Sequence, residues 1–173
     1  IMAVDEINNS KEIRELYIGL GSNLDNPISQ IEKAIDSISF LDIYNDMKIS
    51  GFYESAPMGP SDQDNYINAA VMFKSGESPE DILLSLKDIE ISMGRKKSSV
   101  RWSERIIDLD IIVYGNLIYK SDILTIPHIN AFDRAFVLLP LIDINPDIYI
   151  PTQGFAKDLL KDCLYNEINK INK

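Results

Sequence analysis

Two stretches of this chain carry an apolar stripe at helical spacing directly behind a proline, and what lies between and around them orders the whole domain. Asn26 and Pro27 stand as N-cap and first helical residue ahead of Ile28, Ile31, Ile35 and Ile38, which predicts a helix over residues 27–39. Ser78 and Pro79 repeat the device, with Glu80 and Asp81 in the first turn. Ile82, Leu86, Ile89 and Met93 follow as the buried stripe, and Gly94 stands where a left-handed C-terminal residue belongs. Four runs read as strands: residues 15–20 (ELYIGL, stopped by Gly21-Ser22-Asn23), 48–55 (KISGFYES), 66–74 (YINAAVMFK) and 106–114 (IIDLDIIVY). The order β-α-β-β-α-β predicts an α+β, ferredoxin-like fold, an antiparallel sheet with helices packed on one face. Pro127, Pro140, Pro146 and Pro151 break the remainder into loops and short elements. A C-terminal extension closes with an amphipathic helix that places Phe155, Leu159 and Cys163 on one side. Residues 1–13 show no clean period and read as a tail or linker, and 14–173 as a single domain. The connection at 56–65 is long for a plain hairpin, and long loops on a rigid sheet often carry function.

Charge and composition remove several functional classes. The 173 residues include 17 Lys and Arg against 27 Asp and Glu, a net charge of −10, which argues against a general binder of nucleic acid or anionic membrane. One cysteine excludes an intramolecular disulfide framework, and no apolar run is long enough for a membrane-spanning helix. The first residues lack the basic and apolar regions of a secretory signal. The expectation is a soluble, cytoplasmic domain acting on small molecules.

Asp108-Leu109-Asp110 is the sharpest chemical signal. Strand alternation sets the two acids on one face and Ile107, Leu109 and Ile111 on the other. Two carboxylates so close repel one another, and a hard divalent cation such as Mg²⁺ resolves the conflict; an exposed polar face on an edge strand is the plainer alternative. Residues 95–105 (RKKSSVRWSER) hold five Lys or Arg against one Glu in an otherwise acidic protein. A cationic loop leading into an acidic pair suits a polyphosphate and its metal. Trp102 in this loop either covers a ring or folds onto the core. Residues 96–104 have little apolar content and concentrated positive charge, which predicts a mobile lid that orders when a bound polyphosphate neutralises that charge. His128 is the sole histidine, Arg134 stands among Phe132, Phe136 and Val137, and Asn68 interrupts an apolar strand where its amide suits the edge of a heterocycle. There is no P-loop, and Gly19-Leu20-Gly21 has Leu24 where a dinucleotide fingerprint needs glycine.

Five stretches together resemble the 6-hydroxymethyl-7,8-dihydropterin pyrophosphokinases of folate biosynthesis: 17–23 (YIGLGSN), 53–68 (YESAPMGPSDQDNYIN), 90–95 (EISMGR), 101–110 (RWSERIIDLD) and 126–140 (IPHINAFDRAFVLLP). The likeness runs from about residue 16 to 165, and the block R-W-x-x-R-x-x-D-L-D is far more specific than a bare D-x-D. It implies transfer of pyrophosphate from Mg-ATP to the pterin hydroxymethyl group, with release of AMP. It further implies that Asp108 and Asp110 bind two Mg²⁺ ions and that Arg95 and Arg105 act with them in catalysis. The implied ATP side comprises Lys87, Glu90, Trp102, Arg105, Ile111, His128 and Arg134. The implied pterin side stacks the ring between Tyr66 and Phe136, with Asn68 hydrogen-bonding its edge, help from Ser55 and Met58, and Trp102 closing over it. Ile129 after the histidine, Lys87 in place of a frequent glutamine, and Ile123 where some relatives have arginine depart from the pattern. Fusion to another folate enzyme, such as dihydropteroate synthase, is a family habit with which a chain opening on Ile1 agrees. A Mg²⁺-dependent phosphotransferase for another alcohol would share the acids but have no use for Tyr66, Asn68 and Phe136. An RNA-binding module on the same fold would want the basic aromatic signature that this chain lacks.

Overall fold

The computed structural model describes residues 11–57, 62–95, 105–163 and 168–172. Their elements follow in the order β1 (Arg14–Ser22), α1 (Pro27–Ser39), β2 (Lys48–Ile49), β3 (Phe52–Ser55), β4 (Tyr66–Ser75), α2 (Pro79–Ser92), β5 (Asp108–Tyr114), β6 (Tyr119–Lys120), β7 (Thr125–Ile126), α3 (Ala135–Ile144), β8 (Tyr149–Ile150), β9 (Gly154–Phe155), α4 (Ala156–Lys161) and β10 (Asn169–Ile171). The main sheet runs β10-β3-β4-β1-β5, antiparallel throughout, with β2 also pairing β4. This is the split β-α-β arrangement that the element order predicts. Among the described residues no helix is long and apolar enough to cross a membrane.

Alternation along β1 separates two layers. Leu16, Ile18 and Leu20 enter the core under α1 and α2, where Ile31, Ala34, Ile35 and Ile38 of α1 and Ile82 and Leu86 of α2 meet them. Tyr17 faces the other way and packs with Ala70, Met72, Leu138 and Leu141 beneath the C-terminal elements. The sheet is therefore covered on both faces, not on one, and the second cover reaches only part of its length.

Several local expectations need correction. The run 48–55 is two strands, because Ser50 Oγ takes the Ala70 N–H (2.8 Å) and donates to the Gly51 carbonyl (2.7 Å), which bends the chain there. Residues 135–144, expected as loop and short pieces, form α3 with Pro140 inside it. Phe155 lies in β9, exposed and edge-on to Tyr149 at 5.2 Å, and Ala156 takes the buried place expected for it. Asn26 occupies the N-cap of α1 in a left-handed conformation (φ 62°) but makes no side-chain capping bond. Ser78 does cap α2, accepting the Asp81 N–H at 3.2 Å.

Candidate active site

The uncovered end of the second face holds a cavity of about 380 Å³, within the range of small-molecule sites. Its floor is three adjacent strands in register. Gly21 of β1 lies opposite Asn68 of β4 on one side and Asp108 of β5 on the other. One step along, Gly19 lies between Ala70 and Asp110. The glycines leave a bare strip between an amide and two carboxylates that stand two strands apart, about 10 Å. A methyl group on Gly19 would press against Ile112 at 3.1 Å, and one on Gly21 would sit 3.6 Å from Asn68 Oδ1, at the mouth of the strip.

On the β4 side the lining is uncharged. Asn68 is buried, and its Nδ2 donates to Ser55 Oγ at 2.8 Å, which fixes the amide and turns Oδ1 toward Gly21. Tyr66, one alternation earlier on β4, and Phe136, at the start of α3, complete this wall with Val137 and Leu141. Asp143 holds α3 in place: its carboxylate accepts the Tyr53 hydroxyl at 2.8 Å and the Gly51 N–H at 3.0 Å, tying the helix to β3.

The β5 side is charged. Helix α2 ends in a Schellman motif: the Arg95 N–H bonds the Glu90 carbonyl, the Gly94 N–H bonds the Ile91 carbonyl, and Gly94 adopts φ 93°. That turn aims the Arg95 guanidinium at Asp108 (2.8 Å) and at the Glu90 carboxylate. Arg105 reaches the same Asp108 oxygen at 3.8 Å. Glu90 is 3% exposed; burial pushes its carboxyl above the ordinary range, opposed by the Leu109 N–H that it accepts at 2.8 Å and by Arg95. Asp110 is pushed up to about 7, first by burial and then by the charges of Asp108 and Glu90. Among the described residues its carboxylate makes no hydrogen bond or ion pair. His128 donates its backbone N–H to Ile112 at 2.9 Å on the outer edge of β5. Burial, with Arg134 next, holds the imidazole below its usual range.

The cavity thus brings together Ser55, Tyr66, Asn68, Lys87, Arg95, Arg105, Asp108, Asp110, His128, Arg134 and Phe136. Two residues of the expected ATP side stand elsewhere. The Ile111 side chain is in the core under α1 and α2, and it is Ile112 that lines the cavity. Glu90 lies behind Arg95 rather than on the wall, because it occupies the buried stripe of α2. Ile123 and Ile129 are exposed and outside the lining, whereas Lys87 is on it. Met58, Trp102 and the expected lid at 96–104 lie outside the described residues. Sequence reasoning missed Gly19 and Gly21 as the floor. Two glycines at alternate positions of an apolar strand were the available signal, since both must face the same way.

The acid pair fits Mg²⁺. Both side chains face the cavity from alternate positions, and the raised Asp110 carboxyl is one that a bound cation would relieve. Two carboxylates leave the rest of such an ion's shell to water and phosphate oxygens, as Mg²⁺ commonly has it.

The family model described as 7,8-dihydro-6-hydroxymethylpterin-pyrophosphokinase (HPPK) matches residues 17–146. A 2-amino-4-hydroxy-6-hydroxymethyldihydropteridine pyrophosphokinase of Haemophilus influenzae is 40% identical over 156 residues, spanning 90% of this chain and 97% of that protein. The folic acid synthesis protein fol1 of Pneumocystis carinii is 41% identical over 148 residues, 86% of this chain but only 20% of its own length. A crystal structure of Plasmodium falciparum HPPK-DHPS shares the fold at TM-score 0.65 and 15% identity, over 89% of this chain and 46% of that one. By the family match and the near full-length Haemophilus relative, this chain belongs to the 7,8-dihydro-6-hydroxymethylpterin-pyrophosphokinase family.

Proposed function

We propose that this protein transfers pyrophosphate from ATP to the hydroxymethyl group of 6-hydroxymethyl-7,8-dihydropterin in folate biosynthesis. The hydroxymethyl oxygen forms a bond to the β-phosphorus, the bond from that phosphorus to the α-phosphate oxygen breaks, AMP leaves, and the hydroxyl proton passes to water. One observation carries the reading: a single cavity is split by a glycine strip into a charged wall and an uncharged aromatic and amide wall. A triphosphate suits the first and a planar, polar-edged ring the second.

The pterin stacks between Tyr66 and Phe136, and Asn68, oriented by Ser55, reads its polar edge. Lys87, Arg95, Arg105 and Arg134 hold the phosphates, and Arg95 and Arg105 stabilise the charge that shifts between ground state and transition state. Asp108 and Asp110 hold the Mg²⁺, two ions by this reading, which supplies charge neutralisation at the phosphate oxygens. A strong general base is not required, since phosphoryl-type transfer rests mainly on positioning and electrostatics. The same reading extends to fusion with a second folate enzyme, supported by the fol1 relative, of which this chain spans 20%.

Incubation with ATP, Mg²⁺ and the dihydropterin is the test. The expected product is AMP, formed only when the pterin is present. Release of ADP instead of AMP, or AMP at the same rate without the pterin, overturns the reading.

A further inference from the structure

Asn23 is 1% exposed and stands one residue beyond β1, where the chain leaves the sheet between the two walls of the cavity. Its backbone N–H, Oδ1 and Nδ2 are all committed. Its N–H donates to the Arg105 carbonyl at 3.1 Å, and its Oδ1 accepts the Arg105 N–H at 2.8 Å. Its Nδ2 donates to Gln63 Oε1 at 3.1 Å and to the Asp64 carbonyl at 3.3 Å. One side therefore grips both backbone groups of Arg105, just ahead of β5. The other grips the loop that enters β4 at Tyr66.

We propose that Asn23 is a positioning residue that clasps the backbone of Arg105 to the loop before Tyr66, and so sets the phosphate-side cation in register with the pterin-side ring. The inference rests on the pyrophosphate-transfer reading of the cavity. The chemistry of the side chain is specific. Only a primary amide of this length offers an acceptor to Arg105 and donors to the 63–64 loop at once. Aspartate keeps the acceptor, loses both donors and sets a charge against the Asp64 carbonyl. Alanine loses both side-chain arms and keeps only the backbone N–H bond to the Arg105 carbonyl. The effect on chemistry runs through Arg105, because small displacements of a group that stabilises the transition state are felt chiefly in turnover.

The experiment compares Asn23→Ala and Asn23→Asp in the wild-type and Arg105→Ala backgrounds, with hydrogen exchange read on the same proteins. In the wild-type background Asn23→Ala is expected to lower kcat by roughly 10–100-fold. In the Arg105→Ala background the same change is expected to lower it by less than about 3-fold, the non-additivity of residues that act through one another. Asn23→Asp is expected to lose less turnover than Asn23→Ala and to raise the KM for the pterin. Exchange of the Arg105 amide should rise at least about 10-fold in Asn23→Ala, and stay protected in Asn23→Asp, with the β1 core amides unchanged in both. Equal losses of kcat in the two backgrounds, or an Arg105 amide whose exchange ignores Asn23→Ala, overturn the proposal. Should wild-type protein release no AMP, the functional reading falls by itself, and the exchange measurement alone decides whether the clasp exists.

Discussion

The two faces of the central sheet are made by the same alternation and used in opposite ways. Toward α1 and α2, β1 presents Leu16, Ile18 and Leu20, β4 presents Ile67, Ala69 and Val71, and β5 presents Leu109 and Ile111, all buried in one apolar cluster. Toward the other face the same strands present Gly19 and Gly21, Asn68, and Asp108 and Asp110. None of these can form a dry core, so α3 covers the face only where Tyr17, Ala70 and Met72 supply apolar surface. The difference teaches that adjacent residues on one strand belong to different properties: one to stability, the next to chemistry.

The sharpest way to break that comparison is Asp110→Ala. Turnover is expected to fall by about three orders of magnitude or more, as befits loss of a metal ligand. Resistance to urea at pH 8 should hold or rise, because a raised carboxyl and its repulsion with Asp108 are removed. A stability loss with normal AMP release would reverse the assignment of the faces. Ile18→Ala tests the other face. It should cost about 2–5 kcal/mol of stability by cavity formation, while kcat per folded molecule stays roughly unchanged; a denaturation curve beside active-site titration separates the two.

Asn68→Ala divides the functional face itself. It should raise the pterin KM by roughly 10–100-fold, as loss of a buried, oriented hydrogen bond does, and leave the ATP KM near its original value. Equal losses for both substrates would merge the two walls. The smallest expected effect is in pH. Because the Asp110 carboxyl is raised from 3.8 to about 7, the metal-free folded state binds more protons than the unfolded chain between those values. Stability therefore falls as pH rises from about 4 to 7, on the order of 1 kcal/mol once screening by water in the open cavity is included. Asp110→Asn should flatten that slope in urea titrations at a series of pH values.

How much of this was legible in the sequence depends on whether the responsible interaction is local. Pro27, Ser78, Pro79 and Gly94 act within a few residues of themselves, so both helices of the split β-α-β unit could be read with their limits. The acids at 108 and 110 and the amide at 68 stood out because each breaks an apolar strand pattern. Helix α3 was hidden because Ala135–Ile144 is apolar around most of its circumference and contains Pro140, so it shows neither a period nor an intact ladder. The burial of Glu90 was not legible for a different reason: it rests on the Arg95 guanidinium beyond the helix and on the Leu109 N–H of another strand. Asn23 read as a turn residue, since its partner Arg105 lies 82 residues away in the chain.

The Schellman turn at the end of α2 also bears on how this family can vary in length. Arg95 is fixed from behind, by the helix whose last carbonyls its own backbone helps to satisfy. Arg105 is fixed from ahead, at the threshold of β5. Neither guanidinium depends on the residue count separating it from the other. Insertions or deletions at 96–100, ahead of the R-W-x-x-R block, should therefore leave both cations in place. Length can vary in that stretch, while Arg101 and Trp102 stay tied in sequence to Arg105.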